Sequence, residues 1–211
     1  MHKKQLITAG KKLEEASKVL IMVHGRGGSA DDILGLAGQL AVNDFALIAP
    51  QATGHSWYPY SFLAPPANNE PWLSSALSLL QEIVKEINAK GISSENIYFT
   101  GFSQGACLTL EFVGRNATKY GGVAAFTGGL IGDKIHAQNY AGDFSGTPVF
   151  IGTSDPDPHV PVERVNESVE LLEKMNALVT KKIYKNMGHT INQDEINTAN
   201  KMIFKKEALQ S

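Results

Sequence analysis

Cysteine is almost absent from this chain of 211 residues, in which Cys107 is the only one. A single cysteine cannot close an internal disulfide, so the fold does not depend on an oxidising compartment. No apolar run is long enough to cross a membrane, and the first 18 residues lack the apolar stretch of a signal peptide. We therefore expect a cytoplasmic protein with no stable membrane insertion.

Charge of one sign is also scarce. The chain has 19 basic and 21 acidic residues, a net charge of −2, and no long run of either sign. A nucleic-acid-binding surface needs clustered positive charge, so a nucleic-acid partner is not expected. With 43% hydrophobic and 19% charged residues, the composition is typical of a compact enzyme with one hydrophobic core. Without a repeat or a linker, the chain is predicted to be a single domain, residues 1–211. No sequence feature indicates an oligomeric state.

Short apolar runs alternate with helical patterns along most of the chain. Apolar runs without interruption are typical of strands that are covered on both faces, as in a parallel sheet. The helical segments instead repeat apolar residues every three or four positions. The predicted strands cover residues 19–23, 45–49, 97–100, 123–126, 148–152 and 182–184, and the predicted helices cover 29–42, 73–90, 103–116, 162–178 and 193–207. This order predicts an α/β fold, with a doubly wound, mostly parallel sheet and helices on both faces.

One long segment, residues 50–71, shows neither period. It contains five prolines and four aromatic residues, Trp57 and Tyr58 among them. A long loop in a compact domain is usually functional or disordered, and the aromatic content argues against disorder. We expect this loop to pack over the top of the sheet and to help form the wall of a binding cleft, with Trp57, Tyr58 and the following Trp72 as substrate-binding residues. A surface loop with its own small core is the alternative.

A Gly-x-Ser-x-Gly run at residues 101–105 follows a predicted strand and directly precedes a predicted helix. A sharp turn of this kind lifts the serine hydroxyl above the sheet and places it at a helix N-terminus, where negative charge is favoured. The flanking glycines keep side chains out of the turn. The pattern alone is weak, and a glycine-rich N-cap is the alternative, but its position favours Ser103 as a nucleophile.

A serine hydroxyl needs a base, and the base needs an acid that orients it. In this type of site both follow the serine in the chain, on loops after later strands. His189 follows Gly188 after the last predicted strand, so it is the predicted base. The loop after the preceding strand contains both Asp155 and Asp157, and its position alone does not choose between them. His159 shares that loop and is expected at the rim of the site.

Acyl transfer also needs two N–H donors aimed at the developing oxyanion. One is the backbone N–H of the residue after the nucleophile, Gln104, and the other comes from the glycine-containing loop at residues 24–28. Arg26 is the predicted donor in that loop, and its guanidinium is a candidate to meet an anionic or polar group of the substrate. Glycine loops before helices also bind phosphate, but Gly-Lys-Ser/Thr is missing here, so a nucleotide is not expected.

Four motifs in this order resemble the phospholipase/carboxylesterase family, small α/β-hydrolases that include acyl-protein thioesterases. They are HGRG at 24–27, GFSQGA at 101–106, DPHVP at 157–161 and GH at 188–189, and the resemblance covers nearly the whole chain. It implies an α/β-hydrolase fold that needs no cofactor and no metal. It also implies a catalytic triad of Ser103, Asp157 and His189, because the family's aspartate is the one followed by Pro-x-Val-Pro. The backbone N–H groups of Arg26 and Gln104 would form the oxyanion hole.

Two departures bear on the substrate, which is expected to be a small-molecule ester. Thioesterase members of the family have an apolar residue in place of Arg26. Only residues 127–147 separate two predicted strands where many lipases insert a large helical lid. We therefore expect an open site that hydrolyses short- or medium-chain carboxylic esters through an acyl-enzyme on Ser103. A thioesterase or lysophospholipase of the same family, and a catalytically silent binding protein on the same fold, are the alternatives.

Overall fold

The computed structural model describes residues 1–204, which contain a seven-stranded sheet. The strands are β1 (Leu6–Gly10), β2 (Val19–Val23), β3 (Ala46–Pro50), β4 (Ile97–Phe102), β5 (Gly122–Phe126), β6 (Pro148–Asp155) and β7 (Leu178–Lys185). Their order across the sheet is β1-β3-β2-β4-β5-β6-β7, with β1 antiparallel to β3 and the other neighbours parallel. The predicted mostly parallel α/β sheet, without a large lid insertion, is confirmed.

Helices cover both faces of this sheet. They are α1 (Ala30–Gly35), α2 (Trp72–Ala89), α3 (Gln104–Arg115), α4 (Val162–Lys174) and α5 (Gln193–Ala199). Alternate residues of β2 belong to two separate hydrophobic clusters, one shared with α2, α3 and α4 and the other with α1 and α5. Each face therefore has its own core, which explains why β2 is apolar at every position. Within residues 1–204, no helix combines the length and the apolar character needed to cross a bilayer.

The predicted helix over residues 29–42 is wrong beyond Gly35. Its start is as expected, because the Ser29 hydroxyl accepts from the Asp32 N–H and the Asp32 carboxylate accepts from the Ser29 N–H, which forms a capping box. After Gly35 the chain continues as a short 3-10 turn, Leu36–Gln39. Gly35 and a second glycine three residues later weaken an α-helix, since glycine loses the most backbone freedom on ordering.

Two more predicted helices differ at their ends. The helix predicted over 162–178 stops four residues early, because Asn176 has a φ of +64° and Leu178 already begins β7. The helix predicted over 193–207 consists of α5 followed by a π-helical turn, Asn200–Phe204. The end of that prediction, at 205–207, lies outside the described residues.

The sequence patterns do not predict β1. This strand pairs with β3 at the edge of the sheet, and its five residues are half-buried or exposed. An edge strand needs neither a continuous apolar run nor a long alternation, so it carries little signal. The prediction over 182–184 finds only part of the second half of β7 for a similar reason, because β7 forms the opposite edge of the sheet.

Parallel pairing brings the four loops of interest to one edge of the sheet. Residues 24–28 follow β2, Ser103 follows β4, residues 156–161 follow β6, and residues 186–192 follow β7. These four strands run in the same direction, so their carboxyl ends lie together. Sites in open α/β sheets lie at this edge.

Candidate active site

Ser103 occupies a strained turn between β4 and α3. Its φ is +53° and its ψ is −119°, a region that residues other than glycine seldom adopt. The Ser103 N–H donates to the carbonyl oxygen of Phe126 at 3.0 Å, and its own carbonyl accepts from the Cys107 N–H at 3.0 Å. The end of β5 and the first turn of α3 therefore hold the backbone in a conformation that it would otherwise leave.

The two glycines of the motif are required by close backbone contacts. A Cβ atom on Gly101 would contact the backbone of Gly105. A Cβ atom on Gly105 would collide with the carbonyl oxygens of Val23 and His24, at the end of the neighbouring strand. The turn is thus packed directly on β2, and this contact sets the position of Ser103 relative to the loop after β2.

Hydrogen bonds join Ser103, His189 and Asp157 in a row. His189 Nε2 lies 2.7 Å from Ser103 Oγ, and His189 Nδ1 lies 2.9 Å from Asp157 Oδ2. The other carboxylate oxygen, Asp157 Oδ1, accepts from the backbone N–H groups of His159 at 2.8 Å and Val160 at 2.9 Å. The Asp157 side chain is fully buried, whereas the imidazole is 22% exposed. The histidine therefore faces the open site and the carboxylate lies behind it.

Asp157 remains an anion in this environment. Burial by itself raises the pKa of a carboxyl because it penalises the charged form. Hydrogen bonds from the His159 N–H, the His189 ring and the Val160 N–H outweigh burial and hold the pKa of Asp157 below its usual value. An anionic acceptor keeps a proton on His189 Nδ1, which leaves the Nε2 lone pair directed at Ser103.

Asp155 is the other aspartate that the sequence offers as the acid, and its side chain makes no hydrogen bond with His189. It is the last residue of β6, paired across the sheet with Lys185, and its side chain makes no hydrogen bond with residues 1–204. Its carbonyl accepts from the Asn186 N–H at 3.0 Å, which ties the loops after β6 and β7 together. The Ser154 hydroxyl does the same, since it accepts from the N–H of Gly188 at 2.9 Å.

The predicted oxyanion donors, the backbone N–H groups of Arg26 and Gln104, have no acceptor among residues 1–204. Gln104 is the first residue of α3, where helix geometry leaves the N–H without a partner. The Arg26 loop lies close by, since a Cβ atom on Gly25 would be 3.6 Å from Ser103 Cβ. Two free donors beside the serine, one at the start of α3 and one in the loop after β2, are what the binding of an oxyanion requires.

The side chain of Gln104 also binds the long loop, which the sequence does not predict. Its Oε1 accepts from the Trp57 N–H at 2.9 Å, and its Nε2 donates to the Tyr58 carbonyl at 2.8 Å. Gln104 is buried, so these bonds replace those it would make with water. They fasten the long loop, residues 50–71, to the start of α3.

Two cavities meet at Ser103, Arg26 and His189. The α1 cavity has a volume of about 640 Å³, and among its other lining residues are Asp32, Ile33, Leu36, Phe102 and Ile191. The loop cavity has a volume of about 720 Å³, and among its other lining residues are Tyr58, Phe62, Leu63, Cys107, His159 and Val160. Part of the long loop therefore forms one wall of this cleft, and His159 lies at its rim.

Of the three aromatic residues predicted to bind substrate, only Tyr58 lines one of these cavities. Trp57 is fully buried, and its Nε1–H donates to the His24 carbonyl at 2.8 Å. Trp72 packs edge-on against His2, with 5.2 Å between the ring centres. The two tryptophan side chains therefore pack within the loop and against the N-terminal segment, and neither lines the α1 cavity or the loop cavity.

Known proteins show which family this chain is similar to. Residues 4–206 match the family described as Phospholipase/Carboxylesterase. Acyl-protein thioesterase 1 of Kluyveromyces lactis is 28% identical over 210 residues, which cover 90% of this chain and 92% of that protein. The crystal structure of a phospholipase/carboxylesterase from Dyadobacter fermentans shares 57% identity at a TM-score of 0.96, with 97% of this chain and 98% of that chain covered. The Bacillus cereus carboxylesterase has the same fold, at a TM-score of 0.76 and 21% identity, with 94% and 92% covered.

Proposed function

Because the chain belongs to the phospholipase/carboxylesterase family, we propose that it is a serine hydrolase that cleaves carboxylic esters through an acyl-enzyme on Ser103. The observation that carries this proposal is the hydrogen-bonded row of Ser103, His189 and Asp157, with contacts of 2.7 and 2.9 Å. A nucleophile, a base and an orienting anion in this arrangement are the requirement for acyl transfer through serine.

The first half of the reaction forms the acyl-enzyme. His189 Nε2 accepts the hydroxyl proton while Ser103 Oγ attacks the ester carbonyl carbon. The negative charge that develops on the carbonyl oxygen is stabilised by the N–H groups of Arg26 and Gln104. The same histidine then gives its proton to the departing alkoxide, so that an alcohol leaves and the acyl group stays on Ser103. Asp157 stabilises the imidazolium throughout.

The second half releases the acid. A water molecule gives a proton to His189 Nε2 as its oxygen attacks the acyl carbon, and the charge again develops at the two N–H groups. The bond to Ser103 Oγ then breaks, and the serine recovers its proton from the histidine. The 22% exposure of the imidazole lets water reach it from the open side of the site.

The lack of a large lid insertion within residues 1–204 supports short or medium acyl chains, because no added segment covers a long chain over the cleft. The two cavities of the cleft, of about 640 and 720 Å³, are open to the surface and meet at the serine. Rates on 4-nitrophenyl esters from acetate through octanoate to palmitate test this proposal. We expect kcat/KM to be highest between acetate and octanoate, and a clear preference for palmitate would contradict it.

Thioester hydrolysis is the second candidate, because a relative named acyl-protein thioesterase 1 aligns with 90% of this chain. The triad itself does not select the leaving group. An oxygen ester and a thioester of the same short acid, assayed beside a lysophospholipid, separate the candidates. We expect the oxygen ester to be the best substrate of the three, and a preference for the thioester would favour the second candidate.

A further inference from the structure

The guanidinium of Arg26 carries a positive charge that no carboxylate neutralises within residues 1–204. Its three hydrogen bonds go to neutral oxygens, those of the Ser56 hydroxyl at 2.9 Å, the Pro59 carbonyl at 3.0 Å and the Tyr60 carbonyl at 2.8 Å. Arginine stays protonated at every accessible pH. An exposed, permanent cation therefore stands beside the serine, on a residue that lines both cavities.

The donors that Arg26 has left suit a carboxylate. A guanidinium has five N–H donors. Nη1 uses two of them on Ser56 and Pro59, and Nη2 uses one on Tyr60. The Nε–H and one Nη2–H remain without an acceptor among residues 1–204. Donors on neighbouring nitrogens of this rigid plane match the two oxygens of a carboxylate.

The bonds that hold the loop also fix the guanidinium in place. The cation lies over the ring of the buried Tyr58, with 5.9 Å between Arg26 Cζ and the ring centre. A side chain that is already held loses little conformational freedom when a ligand binds. The site for an anion is therefore formed before substrate arrives.

The two cavities differ in the charged residues that line them beside Arg26. The α1 cavity contains the carboxylate of Asp32. The loop cavity has no aspartate or glutamate among its lining residues in the described chain. Asp32 opposes the attraction of Arg26 for an anionic group in the α1 cavity, and no carboxylate that lines the loop cavity does so, so the loop cavity is the more favourable place for that group.

We propose that the loop cavity binds a carboxylate of the substrate through Arg26, so that the preferred substrates are esters that also carry a free carboxylate. The apolar side chains of Phe62, Leu63 and Val160 line the same cavity and suit a short hydrocarbon spacer between the ester and the carboxylate. This inference rests on the proposed ester hydrolase function, because it names the substrate class of that site.

Matched pairs of esters test the inference on the wild-type protein. One pair carries the charge on the acyl side, 4-nitrophenyl hydrogen adipate against its methyl ester. The other carries it on the leaving group, 4-acetoxybenzoate against methyl 4-acetoxybenzoate. We expect kcat/KM to favour the anionic member of at least one pair by about tenfold at low salt, as for a charge-assisted contact at a partly exposed site. Salt screens such a contact, so the ratio should fall at high ionic strength.

Arg26→Gln and Arg26→Lys show whether this side chain is responsible. Both retain the backbone N–H, and the anionic-to-neutral ratio within each variant cancels changes that affect both esters equally. We expect the preference for the anionic ester to be lost in Arg26→Gln and partly retained in Arg26→Lys. Lys85→Gln removes the same charge from an exposed position on α2 that lines neither cavity, and it should keep the wild-type ratio.

The outcomes separate this inference from the proposed function. If the wild type hydrolyses the neutral esters but shows no anionic preference in either pair, the inference is wrong and the ester hydrolase function stands. If the ratio survives in Arg26→Gln, another group binds the anion and the assignment to Arg26 is wrong. If neither ester of either pair is hydrolysed, the proposed function itself fails. Should Arg26→Gln not fold, the salt dependence of the wild-type ratio decides, and a ratio unaffected by salt contradicts the inference.

Discussion

Replacing Asp157 by asparagine changes one atom of the site and should reverse the direction of its hydrogen bonds. The backbone N–H groups of His159 and Val160 both donate to Asp157 Oδ1, at 2.8 and 2.9 Å. In Asp157→Asn the amide oxygen must stay at that position, because an NH2 group there would face two donors. The amide NH2 is then turned towards His189 Nδ1.

An NH2 group only donates, so it forces His189 into the other tautomer. Nδ1 becomes an acceptor, and the ring proton moves to Nε2. Nε2 then donates towards Ser103 Oγ and can no longer accept the hydroxyl proton. In a serine protease the corresponding change lowers kcat about 10⁴-fold. At 1.36 kcal/mol for each factor of ten, we expect a similar loss here, about 5 kcal/mol of transition-state stabilisation.

The assay is steady-state hydrolysis of a short aryl ester, with thermal melting to show that the variant is folded. We expect kcat to fall by a factor of about 10³ to 10⁴, with KM changed by much less. Asp155→Asn is the matched control, because that side chain is exposed and makes no hydrogen bond within residues 1–204, and it should stay within about twofold. A tenth of the wild-type activity retained in Asp157→Asn, or an equal loss in Asp155→Asn, would show that Asp157 does not set the tautomer of His189.

Two further predictions concern stability. Gly105→Ala places a methyl group against the carbonyl oxygens of Val23 and His24, so we expect the free energy of unfolding, measured in urea, to fall by about 3 kcal/mol. In the control Gly35→Ala the new methyl group meets nothing within 4 Å, and the free energy of unfolding should change by no more than about 1 kcal/mol. Equal effects of the two substitutions would contradict the packing at Gly105. Burial raises the pKa of Glu195 from 4.5 to about 7, so the native state holds its proton more tightly than the unfolded chain does. The stability that protonated Glu195 contributes is complete below pH 4.5 and is lost as the pH rises through about 7. The loss amounts to about 3 kcal/mol of unfolding free energy in all. Unfolding free energies at pH 5 and pH 9 should therefore show Glu195→Gln gaining on the wild type as the pH rises, and a constant difference would refute this.

The sheet and the order of the site loops could be predicted because buried parallel strands have a direct signature. β2 is apolar at all five positions, since it is covered on both faces. Parallel strands that end at one edge bring Ser103 and His189 together although 86 positions separate them in the chain. The pattern therefore indicates which loops meet, because that depends only on strand direction.

The choice between Asp155 and Asp157 depends on details that the pattern does not contain. β6 runs to Asp155 and pairs it with Lys185, so that side chain is directed by the strand. Only after the strand ends does the chain turn and direct Asp157 to the histidine. The family resemblance selected the same residue without this explanation.

Aromatic residues in an irregular loop are harder still to place. Nothing in the sequence around Trp57 and Trp72 shows whether a ring points into the cleft or into the core, because the loop has no period. Their orientation follows from distant partners, the His24 carbonyl and the His2 ring. The bonds from Gln104 to the loop were equally hidden, because they join residues 46 and 47 positions apart.

Labelling with a fluorophosphonate shows whether Ser103 is an activated nucleophile. Intact mass and peptide mapping locate the adduct, and the melting temperature of Ser103→Ala reports its fold. We expect one adduct, on Ser103, and a folded Ser103→Ala variant that is neither labelled nor active on esters. Labelling that persists in Ser103→Ala, or a wild-type protein that is never labelled, would contradict this expectation.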